Sequence, residues 1–359
     1  MSQSDIEYHM LNVVYPRARE VIRLWKDAGL DVLHLGHLAR DSYRPPGIYE
    51  FGDVTPLIRD SDLARFRQVM DSAGYRLIEE DPHTEQITVA SAALADSLMA
   101  RPWGCTLSYA RETVWPAVFW VNVNTSRRTG PIRFVDLEHW FTSPDVRVAT
   151  VMGDTEIACA PTWGHMLFEV ADIFTHAAVH RVDKAERKIE YAHLLASQPN
   201  VDWDSVLVTV KGYEEESAAR YSRYMASLGA AAQPAIALDQ RFGILGVRAT
   251  LGYCFQAVED YYPGTIPQAI LDYCKSGPGG PLRRVYAHAD PEYADRYATS
   301  FDGRVHGVVT FSIQTQLEQY GHLTNQELFS QGLVTDSAPI MDVFADATEE
   351  TINQLYAPL

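Results

Sequence analysis

The chain has 359 residues, 47% hydrophobic and 21% charged, which is the balance of an ordinary water-exposed globular protein too long for a single core. Its formal charge of −17 excludes long contacts with a phosphate backbone, because the basic clusters Arg127–Arg128 and Arg283–Arg284 are small. A small molecule, for example a cationic one, is therefore the expected partner, with no nucleic acid and no membrane.

The first ten residues, MSQSDIEYHM, carry neither a basic n-region nor an apolar h-region, and no apolar run reaches the length of a membrane span, so a cytoplasmic location is expected. Four cysteines (Cys105, Cys159, Cys254, Cys274) stand far apart without a C-x-x-C pair and read as core thiols.

Residues 17–29 place Val21, Leu24 and Trp25 on one helical face, with Gly29 as a C-cap. LDVLHLGHLA (30–39) then reads as a strand followed by a glycine turn. After the loop YRPPG (43–47), FGDVTPLI is a second strand. DSDLARFRQVMDSAGY is a helix opening on Ser61 or Asp62, with Leu63, Phe66, Val69 and Met70 on one face and Gly74 at its end.

WPAVFWVNVNTS (115–126) and PIRFVDLEHWF (131–141) are expected to form an antiparallel pair about the turn RRTG. VRVATVMGDTEIACAP adds a hairpin at Gly153–Asp154. From 162 to 232 the periodicity becomes helical. Beyond it, DQRFGILGVRATLGYCFQAVEDYY fits a long helix, IPQAILDYC a short one, and SGPGGP a loop. VHGVVTFSIQTQL fits strand or helix alike. The expected class is α/β (α+β), divided into an α/β domain (1–160), a helical domain (161–235) and a mainly helical extension (236–359).

Alternate residues of a strand share a face, so a D-x-D pair can seat Mg²⁺ between two carboxylates, and a third from a neighbouring strand completes a two-metal site. Here the pair is Asp53 and Thr55, with Asp136 in FVDLEHW as the expected third carboxylate and Glu138 on the same strand face. A neutral hydroxyl at 55 leaves one anionic ligand too few.

Several segments in order resemble the uncharacterised nucleotidyltransferase family of the polymerase-beta-like nucleotidyltransferase superfamily. They are LGHLA (35–39), DVTPLIRDSDLARFRQVMDSAGY (53–75), VDLEHW (135–140), HAAVH (176–180) and VDWDSVL (201–207), covering the first two-thirds of the chain. The resemblance implies a mixed-sheet nucleotidyltransferase-like domain followed by a helical domain. It also implies Mg²⁺ and ATP at Asp53 and Asp136.

The departures lie in the chemistry. The family's turn lysine is Leu35, its second strand aspartate is Thr55, its preceding arginine is Tyr49, and an aspartate in the helix after HAAVH is His193. A triphosphate needs cations or metal to meet its charge, and these positions supply neither.

Each candidate also has a bland role. Asp53 is equally a strand-end residue serving the next turn, since Pro56 argues against a long central strand, and Thr55 reads better as structural than as a ligand. His34 and His37 flank Gly36, where a neutral imidazole can move protons near carboxylates, though turn histidines without a role are as common. His139 beside Trp140 reads as a core group, and His176 and His180, four apart but without H-E-x-x-H, read as packing. GPGGP (277–281) lacks the context of a phosphate loop, and Tyr253, Phe255, Tyr261 and Tyr262 read as core.

Three functions follow. In the first, a repurposed scaffold performs metal-free acid–base chemistry on a small molecule in a biosynthetic pathway. Asp53, Asp136, Glu138 and His37 are then catalytic, His34, Gly36, Thr55 and Tyr49 bind substrate, and no cofactor is needed. In the second, a Mg-dependent nucleotidyltransferase adenylylates a hydroxylated or amino substrate. The third is a non-catalytic binding module.

Overall fold

The computed structural model describes residues 3–45, 47–80, 87–92, 107–113, 119–127, 135–178, 182–199, 201–228 and 247–275, with Ala95, Ile132, Tyr356 and Ala357. These residues form two compact units, one drawn from Met1–Gly130 and Asp136–His165, the other from Pro131–Val135 and Met166–Leu359. The architecture is mixed α/β, with an eight-stranded mixed sheet and helices.

The sheet belongs to the first unit. Its strands are β1 (Val32–Leu35), β2 (Asp53–Ile58), β3 (Arg76–Glu80), β4 (Ile87–Val89), β5 (Leu107–Ala110), β6 (Trp120–Thr125), β7 (Arg147–Val151) and β8 (Thr155–Cys159), in the order β4-β3-β5-β6-β2-β1-β8-β7. The pairs β1–β8 and β2–β6 are parallel and the others antiparallel.

One face of this sheet is the core. Val54, Ile58, Val121, Val123 and Tyr109 point into it and meet helices α2 (Tyr15–Asp27) and α4 (Leu63–Ser72), which follow the short helix α1 (Gln3–His9) in the chain. Helix α2 buries Tyr15, Ala18, Val21 and Trp25, the three-and-four spacing of a single stripe, and ends where Gly29 takes φ +64°. Trp25 meets Phe66 at a tilt, with ring centroids 5.7 Å apart, and the Phe66 ring meets Tyr109 edge-on at 5.8 Å. Helix α4 follows a 3-10 turn, Asp60–Asp62, and closes before Gly74 at φ +83°. Neither Ser61 nor Asp62 caps it through a side chain, because Asp62 already has helical dihedrals.

Three local expectations are corrected. Pro56 lies inside a central strand, and the β2–β6 bridge pairs accommodate it by skipping positions 55 and 56, where the ring lacks an N–H to donate. The hairpin of 115–126 with 131–141 does not form, since both edges of β6 are taken, by β2 and by β5. VDLEHW is not a strand either: the Asp136 carboxylate accepts the Glu138 N–H at 2.9 Å and starts a 3-10 turn, Glu138–Thr142, so positions 136 and 138 do not present a flat carboxylate pair.

The hairpin β7–β8 forms as expected, with Met152 and Gly153 both at positive φ. The helical stretch is the helix Thr162–Ala178, in which the division between units falls, then Val182–Ala196 and Trp203–Leu228. The second unit also holds Val247–Tyr261 and Gln268–Lys275, matching the later helical segments. SGPGGP, VHGVVTFSIQTQL, Cys105, Arg128, His180 and Arg283–Arg284 lie outside the described residues. Among the described residues no helix is long and apolar enough to cross a membrane.

Candidate functional site on the polar face of the sheet

The second face of the sheet is built differently. Registers Asp53↔Trp120, Ser108↔Asn122 and Ala110↔Trp120, the last continued from Tyr109↔Val121, place Asp53, Thr55, Trp120, Asn122 and Ser108 together on it. Valines alternate with these positions and point to the core. The strand WVNVNT therefore carries a half-buried indole and two carboxamides on one side and two buried valines on the other.

These groups are joined in a chain of hydrogen bonds. Ser108 Oγ donates to Asn122 Oδ1 at 2.8 Å, and Asn122 Nδ2 donates to Asp53 Oδ2 at 2.8 Å. Thr55 Oγ1 donates weakly to the same Oδ2 at 3.4 Å. Both lone pairs of Asp53 Oδ2 are thus used, while Oδ1 accepts from no described residue. No basic side chain pairs with Asp53 among the described residues.

Gly36 lies against this array. It takes φ +63°, opens the short helix α3 (Gly36–Asp41), and a Cβ there would stand 2.7 Å from Thr55 Oγ1. Glycine is needed twice over, for its dihedral and for the approach of Thr55. Leu35, just before this glycine, is fully buried and offers nothing to a phosphate.

Asp136 and Glu138 are not brought to Asp53. Glu138 accepts from Arg59 and from Ser126 Oγ, each at 2.5 Å, just past the C-terminal ends of β2 and β6. Asp136 faces Arg127 at 3.5 Å. Asp53 opens β2, and at about 3.3 Å per residue the end of that strand is roughly 16 Å away.

The histidines separate as well. His34 is on the core face, 4% exposed, with Nδ1 donating to the Ala158 carbonyl at 3.1 Å and Nε2 without a partner among the described residues. Burial lowers its pKa to about 4, opposed by that carbonyl, so the ring is neutral. His37 accepts at Nδ1 from Arg40 at 3.0 Å, which puts its ring proton on Nε2. Tyr49 donates its N–H to Tyr15 Oη at 3.0 Å and lies under Arg44. His139 is exposed and stacks on Trp163 at 6.4 Å, so it is not a core group; the ring is carried on the 3-10 turn beside buried Trp140.

Sequence reasoning missed three residues. Asn122 and Ser108 complete the array, and the alternation of WVNVNT is the signal that would have found Asn122. Asp41 is the third. Burial raises its pKa to about 6 against the pull of Arg40 and Arg44, and Oδ2 has no partner among the described residues.

The donor set does not fit Mg-ATP. A divalent ion needs several anionic oxygens, whereas Asp53 is flanked by a carboxamide N–H and a hydroxyl that point donors at it. Among the described residues no group of three or more His, Cys, Asp and Glu side chains could hold a metal ion. A comparison with protein-family models finds no match, and no curated protein matches the chain.

Proposed function

We propose that the first unit is a nucleotidyltransferase-like scaffold that acts on a small molecule by metal-free acid–base chemistry, in a biosynthetic role in the cytoplasm. The order of β1, a glycine turn, α3, β2 opening on an aspartate, and α4 followed by Gly74–Tyr75 supports the scaffold. One observation carries the chemistry: Asn122 donates to Asp53 at 2.8 Å, so a hydrogen-bond donor occupies the place beside Asp53 where metal chemistry needs a further carboxylate.

In this reading Asp53 takes the proton. Its Oδ2 is held by Asn122 and Thr55, which leaves Oδ1 to accept from a substrate N–H or O–H. His37, held by Arg40 with its proton on Nε2, is the donor on the same glycine turn. Asp136 and Glu138 are tied to arginines and serve the structure.

Thermal melting with Mg²⁺ and each nucleoside triphosphate tests this. A ligand at one hundred times its Kd stabilises the native state by about 2.7 kcal/mol. The expected result is no shift at millimolar Mg-nucleotide, and a clear rise in Tm would remove the metal-free function.

A further inference from the structure

Trp120 and Asp53 are register partners on adjacent parallel strands, so both side chains rise from the same face with Cα atoms about 4.8 Å apart. The indole is half-buried, resting on Ile78 and Ala110, and no aromatic or cationic side chain stacks on it among the described residues. Asp53 is paired with no Lys, Arg or His of the described residues, and while Oδ2 accepts twice, Oδ1 accepts from none of them.

We infer that Asp53 and Trp120 together bind the ammonium group of an organic amine. The inference rests on the small-molecule reading of this face and names the class of substrate. An ammonium donates an N–H to Asp53 Oδ1 and lays its charge against the indole face, where the ring quadrupole attracts it. Asn122 and Ser108 act as positioning residues, because their chain of hydrogen bonds fixes which carboxylate oxygen is presented. The chain's net charge of −17 draws cations towards it and opposes anions. A lone carboxylate with neutral flanks suits a singly charged organic cation better than a divalent metal, which needs more anionic ligands.

The test uses the full chain and two probes of nearly equal shape, n-butylammonium and n-butanol, followed by saturation-transfer NMR at pH 7. Butylammonium is expected to bind and butanol to bind at least about tenfold more weakly. Asp53→Asn should lower butylammonium affinity about tenfold and erase the preference over butanol, with melting curves reporting that the variant is folded. Trp120→Leu should lower it roughly fivefold, and Trp120→Phe, which keeps a ring over Ile78 and Ala110, should fall between. Equal binding of the two probes, or wild-type butylammonium affinity in Asp53→Asn and Trp120→Phe, overturns the inference. A Tm rise with Mg-nucleotide overturns the metal-free function instead, so the two failures are distinguishable.

Discussion

Asn122 stands one strand away from Asp53 and donates its carboxamide N–H to Oδ2 across 2.8 Å. A carboxylate at 122 would face Asp53 at that same separation and require a cation between them. The carboxamide removes the requirement and turns mutual repulsion into a hydrogen bond.

This makes the cation requirement restorable. Asn122→Asp is expected to lower Tm through like-charge repulsion with Asp53, and the double variant Thr55→Asp/Asn122→Asp to lower it further. Added Mg²⁺ should recover stability in the double variant and leave the wild type unchanged. Melting curves over a MgCl₂ series read both effects, and equal Mg²⁺ responses would contradict the donor-set argument.

Gly36 and Thr55 form a packed pair whose energies should not add. Gly36→Ala forces a Cβ to 2.7 Å from Thr55 Oγ1 at φ +63°, and a loss on the order of 1–3 kcal/mol is expected. Thr55→Ala removes the oxygen but not the dihedral strain, so in a double-mutant cycle it should restore part of the loss. Denaturant unfolding of the four proteins measures the coupling, and strict additivity would show that the contact is not felt.

His34 and Asp41 make opposite contributions to acid stability. Burial holds the folded pKa of His34 at about 4, below its ordinary 6.5, so its contribution is present above 6.5 and lost as pH falls towards 4. Asp41 is raised from 3.8 to about 6, mainly by burial, with Arg40 and Arg44 opposing. Its contribution is present below 3.8 and lost as pH rises through 6. Between pH 6.5 and 4 the two offset each other. Asp41→Asn should therefore steepen the fall of Tm on acidification, and His34→Gln should flatten it. Comparing slopes of Tm against pH, rather than Tm itself, makes the check independent of any constant packing loss.

In the second unit the helices carry a buried ionic cluster. Lys188 Nζ lies 2.8 Å from Glu169, which is fully buried, and 2.7 Å from Asp172. Lys188→Met would remove the cation that both carboxylates contact, and a loss of roughly 3–5 kcal/mol is expected. Adding Glu169→Gln to Lys188→Met should recover part of it, as read by urea unfolding; no recovery would place the cost in packing alone.

Local order was legible where one residue type decides a conformation. Gly29, Gly74 and Gly153 end or turn their segments at positive φ, and the stripes Val21–Trp25 and Leu63–Phe66–Met70 predict helices that the structure contains. VDLEHW failed because its alternation fits a strand and also a turn in which Asp136 captures the next-but-one N–H. The choice depends on β6 already having both edges paired.

By itself, then, the sequence determined the glycine turns, the amphipathic stripes, the absence of a lysine at 35 and the hydroxyl at 55, since each is a property of one position or one period. Only the tertiary structure decided which side chain stands beside Asp53. That neighbour is 69 residues away in the chain. Strand order and register are set by the burial of whole faces, and no local pattern encodes them.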